Sequence, residues 1–165
     1  MIVSPPKRPS LPFRSNTYPS KSKSKVVSSV FVASGTIISP LVKEIPFFSV
    51  IIPTYNRAKI IGKAIESVLN QTFHEFEIVI IDNGSVDDTQ LVVEKFKDDR
   101  IRYFIGKWTG SPASPRNNGI SKAKGAWVCF LDSDDNWYQD KLKMCFNHIE
   151  KNTVDLLHHD LKIVG

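Results

Sequence analysis

Trp127-Val-Cys-Phe-Leu-Asp132-Ser133-Asp134-Asp135-Asn136-Trp137 is the stretch of this 165-residue chain that decides its architecture. A mostly apolar run leads straight into three carboxylates. A short apolar run bounded by turn-type residues reads as a buried strand of a parallel sheet. Asp, Ser, Asp and Asn then stop the strand and open a loop. The carboxylates are thereby set at the carboxyl end of a central strand, where open α/β sheets bind ligands. Acids at i and i+2 of one turn can share a hard cation. Mg²⁺ or Mn²⁺ held by one or two carboxylates plus substrate phosphates is the usual arrangement for phosphate chemistry. The plain alternative is an acidic strand-to-helix turn without chemistry.

Working outward, the same grammar repeats. Phe47 to Ile52 is apolar and β-branched and reads as a strand ended by Pro53. Pro53-Thr54-Tyr55-Asn56-Arg57 is then a turn, with Asn56 as N-cap of a helix striped by Ile60, Ile61, Ala64, Ile65, Val68 and Leu69. Glu77 to Ile81 is a second strand, stopped by Asp82-Asn83-Gly84-Ser85. Ser85 and Asp88 form a capping pattern with the shorter acid. The helix behind it takes Leu91, Val92, Val93 and Phe96 as its apolar positions. Ile101 to Ile105 is an edge or intermediate strand, and 106–112 is loop. Ser114-Pro115 reads as an N-cap with Pro at the first helical position. After the acidic stretch, 139–151 is helical, with Leu142, Met144, Cys145, Phe146 and Ile149 as candidate core, and Asp155 to Leu157 opens a last strand. Strands alternating with helices predict an α/β, doubly wound, mostly parallel sheet. Right-handed crossovers bring the strand ends at 53–57, 82–85 and 132–135 to one crevice.

The net charge of +5 is unevenly spread. Residues 1–45 hold seven Lys and Arg against one acid, and the remainder holds fifteen against sixteen. The basic character therefore belongs to the first segment, and the folded part gives no reason to expect nucleic acid. Prolines at 5, 6, 9, 12 and 19 and the run Ser20-Lys-Ser-Lys-Ser-Lys25 predict a disordered extension over 1–45. The apolar stretch from Val26 to Val42 is interrupted by Ser, Thr and Gly and falls short of the roughly 20 apolar residues of a membrane span. A basic segment of this kind can lie on anionic lipid. Cys129 and Cys145 make no disulfide framework. Cys129 is most simply a small buried hydrophobe, in keeping with a reducing compartment.

The crevice has the ingredients of a nucleotide site. The glycines give neither G-x-G-x-x-G nor a phosphate-cradling loop, so phosphate must be neutralised by metal and by cationic side chains. Asp132 and Asp134 can hold the metal. Arg116 or Arg57 can meet phosphate oxygens with two N–H groups. Asp82 can accept from a base N–H, and Tyr55 can line a base pocket.

Ser49-Val-Ile-Ile-Pro-Thr-Tyr-Asn56, Ala64-Ile-Glu-Ser-Val-Leu-Asn-Gln-Thr72, Glu77-Ile-Val-Ile-Ile-Asp-Asn-Gly-Ser85, Arg116-Asn-Asn-Gly-Ile120 and Phe130-Leu-Asp-Ser-Asp-Asp135 together resemble the family-2 inverting glycosyltransferases of GT-A fold. The resemblance runs in order over 46–165. It implies a Rossmann-like domain that binds a nucleotide-diphosphate-sugar donor with a divalent metal, Mg²⁺ or Mn²⁺. The sugar would pass to an unknown acceptor, in cell-surface polysaccharide or other glycoconjugate synthesis. The implied donor site comprises Pro53, Thr54, Tyr55, Asn56, Arg57, Asp82, Arg116, Asp132 and Ser133. Asp82 matches the residue at the base, Arg116 the basic residue near the donor, and Asp132 and Asp134 the Asp-x-Asp motif. Within that motif Asp134 is the metal ligand and Asp132 lies nearer the ribose. The expected location is cytoplasmic, with contact at the inner membrane face through the basic segment.

Two departures stand out. Asn83 occupies a position where the family often has a second Asp. The family's catalytic base is a carboxylate that would fall beyond Gly165, so the expectation is an incomplete domain of uncertain turnover, with a non-catalytic nucleotide-binding fragment as the alternative. An Asp-x-Asp phosphatase with Asp132 as nucleophile is a remote alternative. It expects Thr or Val where Asn136 stands, and it leaves 53–56 and Asp82 without a role. His158 and His159 would point to opposite faces of a strand and would not chelate together. Trp127 and Trp137 read as packing residues, and Asp87, Asp88, Asp98 and Asp99 as helix-end or solvent-facing charges.

Overall fold

The computed structural model describes residues 2–3, 32–33, 36–37, 45–107, 110–111 and 113–157. His158 and His159 lie outside them, as does most of the basic segment. The chain divides into two units, 1–5 with 45–165, and 6–44.

The larger unit is a six-stranded sheet with helices on both faces. Its first strand, β1, is Ile2–Val3. The smaller unit holds β2 (Val32–Ala33) and β3 (Thr36–Ile37), an antiparallel pair. The larger unit continues with β4 (Phe48–Thr54), α1 (Ile61–Leu69), β5 (Phe76–Asp82), α2 (Thr89–Glu94), β6 (Ile101–Ile105), α3 (Ala113–Lys122), β7 (Trp127–Phe130), α4 (Lys141–Lys151) and β8 (Leu156–Leu157). The strand order is β6-β5-β4-β7-β1-β8. β6, β5, β4 and β7 run parallel, while β1 pairs antiparallel with both β7 and β8.

β4 and β5 are buried on both faces, as a central parallel pair must be. On one face Phe48, Val50, Ile52, Ile78 and Ile80 pack with Ile61, Ala64, Ile65 and Val68 of α1, Val93 of α2 and Leu142 and Cys145 of α4. On the other, Ile51, Val79, Ile81 and Val128 pack with Ile120 of α3 and Ala123 just after it. Burial at this density supplies the main driving force, roughly 1.5–3 kcal/mol for each large apolar side chain. α3 sits close because position 119 is glycine. A Cβ there would collide with the Ile51 side chain.

The local readings need five corrections. β4 runs through Pro53 to Thr54, paired with Asp82. The backbone of alternate residues faces alternate neighbours. Leu131 N–H donates to Ile51 O, so the N–H that Pro53 lacks would face β7, whose pairing has already stopped at Phe130. Asn56 does not cap α1, which begins five residues later. Ser85 does not cap α2, whose start has no side-chain cap. α3 begins at Ala113, so Ser114 lies inside it. Met144 is 69% exposed and Leu91 57%, so neither is core.

Candidate functional site

The carboxyl ends of β4, β5 and β7 open together onto a cavity of about 340 Å³. Pro53, Thr54, Tyr55 and Arg57 come from the end of β4, Asn83 from the end of β5, and Asp132, Ser133 and Asp134 from the end of β7. Gly110 and Ser111 reach it from the loop before α3, and Pro115 and Arg116 from the first turns of α3. The crevice predicted from strand alternation is therefore built from the three predicted strand ends.

The cavity is lined by two sets of residues of different chemistry. Pro53, Thr54, Tyr55 and Asn83 carry no charge. Thr54 Oγ1 is buried and has no hydrogen-bond partner among the described residues, so nothing there compensates its desolvation. The second set pairs cations with carboxylates. Arg116 binds Asp132, and Arg57 Nη2 stands 3.6 Å from Asp134 Oδ2. Both acids are about half exposed, whereas Ser133 between them is buried. Two exposed carboxylates on one turn are hard oxygen donors that fit Mg²⁺ or Mn²⁺, with phosphate and water completing the sphere. Among the described residues no cluster of three or more His, Cys, Asp or Glu forms a closed metal cage. An open, two-carboxylate site of this kind does not need one.

Asn56 and Asp82, both expected in the site, stitch its loops together. Asn56 adopts the left-handed region at φ 52°, which Asn tolerates better than most residues. Its N–H donates to Ser85 Oγ at 2.8 Å, and its Oδ1 accepts from Val86 N–H at 2.8 Å. Asp82 is 2% exposed. Its Oδ1 accepts from Ser85 N–H at 2.7 Å, and its Oδ2 accepts the hydroxyl of Tyr103. Burial, and then the Asp82 carboxylate, push the Tyr103 phenol well above its usual range. Farther along, Arg57 N–H donates to Thr89 Oγ1 and Ala58 N–H to Asp87 Oδ2. The Thr89 hydroxyl, foremost, holds the Asp87 carboxyl below its ordinary value.

Several positioning residues escaped sequence reasoning. Gln71, 1% exposed, donates to Ser67 O and Tyr138 O and accepts from Leu142 N–H. Trp137 N–H donates to Ser67 Oγ. The end of α1 thus anchors the segment that leaves the acidic turn. At the other end of the sheet Glu77 is buried, and its carboxylate takes Ser49 Oγ at 2.6 Å, Lys124 N–H at 2.6 Å and Arg102 Nη1 at 2.7 Å. Gly125 N–H donates to Ser49 Oγ at 2.8 Å. These contacts fix the exit of α3, whose entrance carries Arg116. A polar residue at an inward position of an apolar strand was the readable sign for Ser49 and Glu77.

The fold is of the GT-A type. The model of glycosyl transferase family 2 matches residues 49–160, and the chain belongs to that family. A glycosyltransferase of Rickettsia felis is 50% identical over 111 residues, which are 67% of this chain and 18% of the relative. The Escherichia coli UDP-Glc:alpha-D-GlcNAc-diphosphoundecaprenol beta-1,3-glucosyltransferase WfgD is 34% identical over 117 residues, 71% of this chain and 46% of that protein. Among solved structures, S. aureus TarS 1-349 in complex with UDP-GlcNAc superposes with a TM-score of 0.58 at 37% identity, over 63% of this chain and 31% of that one. The mannosyltransferase PcManGT from Pyrobaculum calidifontis, in complex with GDP-Man and Mn²⁺, does so at 0.57 and 27%, over 64% and 32%. The chain thus spans less than half the length of these relatives. Among the described residues no helix is long and apolar enough to cross a membrane.

Proposed function

We propose that the cavity binds the nucleoside-diphosphate part of an activated sugar with a divalent cation, for inverting transfer of the sugar to an acceptor. The observation that carries this reading is that one cavity is lined by two sets of residues, an uncharged set and a set of paired arginines and aspartates. A base fits the first, and a diphosphate with its cation fits the second. The donors named for the relatives, UDP-Glc, UDP-GlcNAc and GDP-Man with Mn²⁺, support it.

In this reading Pro53, Thr54, Tyr55 and Asn83 enclose the base, and Thr54 Oγ1 gains the partner it lacks. Arg57 and Arg116 exchange their aspartates for phosphate oxygens, a contact that suits the planar guanidinium fork. Asp134, with Asp132 beside it, holds Mg²⁺ or Mn²⁺. The cation, when bound, offsets the negative charge that builds on the departing diphosphate. Asn56 and Asp82 act on the base wall by holding the 54–58 and 82–89 loops in register. Transfer also requires a base for the acceptor hydroxyl proton. The lipid-linked substrate in the name of the E. coli relative, together with the basic segment 1–45, supports contact with an anionic membrane surface.

Calorimetric titration with UDP tests the donor site. Saturable binding that needs Mn²⁺, and that weakens at least tenfold in Asp134→Ala, is expected. Absence of binding by UDP, CDP and GDP at millimolar concentration, with Mn²⁺ present and the fold intact, overturns it.

A further inference from the structure

The last residue of β5 and the one after it divide their roles by the pleat of the strand. Successive side chains on a strand point to opposite faces. Ile78 and Ile80 pack on the α1 and α4 face, and Val79 and Ile81 on the α3 face. Asp82 continues the first series. Both its oxygens are occupied, one by Tyr103 and one by Ser85 N–H. Asn83 continues the second series and lines the cavity. Its backbone N–H is spent on Thr54 O at 2.9 Å. The residue is 7% exposed, and among the described residues nothing hydrogen-bonds to its side chain. A carboxamide that lines the cavity beside Thr54 and makes no hydrogen bond among the described residues is free to meet a ligand.

We infer that Asn83 is the residue that reads the base edge, and that its amide makes this site accept uridine and cytidine diphosphates about equally. The inference rests on the donor-site reading above. A carboxylate at this position could only accept, so it would favour an edge presenting an N–H and oppose the bare ring nitrogen of cytosine. A carboxamide has one acceptor and one donor head side by side. In one orientation Oδ1 accepts the uracil N3–H while Nδ2 donates to a flanking carbonyl. Rotated by half a turn, Nδ2 donates to the cytosine N3 while Oδ1 accepts from the exocyclic amine. The two pyrimidines have the same ring size, so edge polarity is the property that separates them. Asp82 cannot restore a preference, because its carboxylate faces the other side of the sheet and is already bound.

Calorimetric titration of the full chain with UDP and with CDP, each with Mn²⁺, tests the inference. The two dissociation constants are expected to agree within about fivefold. Asn83→Asp should weaken CDP at least tenfold relative to UDP, on the scale of one mispaired polar contact. Asn83→Ala should weaken both alike. If UDP binds the unaltered chain and CDP binds more than tenfold more weakly, the inference is overturned while the donor site stands. If Asn83→Ala leaves both constants unchanged, Asn83 does not read the base. If neither nucleotide binds, the donor site and the inference fall together. Should Asn83→Asp fail to fold, the unaltered chain and Asn83→Ala still decide.

Discussion

Each cation at the mouth of the cavity has an exchangeable partner. The Arg57–Asp134 pair is about half exposed on both sides, and such pairs contribute roughly 0–1 kcal/mol to folding. Little stability would therefore be lost if phosphate and metal replaced them. Arg116→Lys keeps the charge and removes the fork. It should weaken UDP–Mn²⁺ binding by about tenfold, some 1.4 kcal/mol, while moving the melting temperature by less than about 3 °C. Calorimetry of binding and of unfolding on one sample checks both halves. Gly125 behaves in the opposite way. A Cβ there would lie 2.6 Å from Ser49 N and 2.7 Å from Phe48 C, and backbone cannot give way as a side-chain tip can. Gly125→Ala should cost about 1–3 kcal/mol, as overpacking does. The expected fall in melting temperature is more than about 4 °C.

At the level of elements, the turn after β4 and the turn before α2 form one laced unit, tied by Asn56, Ser85, Thr89 and Asp87, with Asp82 and Tyr103 beneath. The Tyr103 phenol is raised above its usual value near 10, which makes the lacing sensitive to alkali. Below the unfolded pKa of about 10 both states keep the proton, and the stabilisation is fully present. Above it the unfolded chain releases a proton that the folded chain retains, so stability falls as pH rises toward the folded value. Thermal melts of the unaltered chain and Tyr103→Phe should therefore differ most between pH 7 and 10 and converge at higher pH. A difference that stays constant as pH rises past 10 would mean that Tyr103 is not the titrating group.

The sheet and the crevice were readable because the strands at 48–54, 76–82 and 127–130 are nearly unbroken apolar runs that stop at polar turns. That pattern follows from burial on both faces. The caps were less readable. Asn56 and Ser85 have the right chemistry for helix starts, yet the side chain of each finds its partner in the other's loop, 30 and 29 residues away. Pro53 marks a strand end only where its missing N–H matters, and the ladder on that side is already over. Asp82 and Asn83 look interchangeable in a turn. Only the pleat of β5, set by which apolar residues face α3, assigns one to the loops and the other to the cavity.

Across the whole molecule, charge is segregated, with the excess of Lys and Arg in residues 1–45. Near an anionic surface each such residue contributes about 1 kcal/mol. Sedimentation with phosphatidylserine–phosphatidylcholine vesicles should show binding that is lost at 0.5 M salt. Lys21→Glu, Lys23→Glu and Lys25→Glu together should lower the partition by about two orders of magnitude. Binding that persists in this variant would assign the membrane contact to another part of the chain.

The insertion of β7 beside β4 also sets an order of events. β4 and β5 are joined through α1, so their pairing closes a short loop. Ser49 and Gly125, by contrast, meet across 76 residues of sequence, and the larger loop costs more entropy before its contacts repay it. The rate-limiting barrier to folding is expected to be crossed with β4 and β5 paired and β7 still loose. Val79→Ala should then mainly slow folding, and Val128→Ala should mainly hasten unfolding, with φ-values near the upper and lower ends of the scale. The acidic turn that follows β7 is accordingly the last wall of the cavity to arrive, and Asp132 and Asp134 take their places only after the chain has committed to its fold.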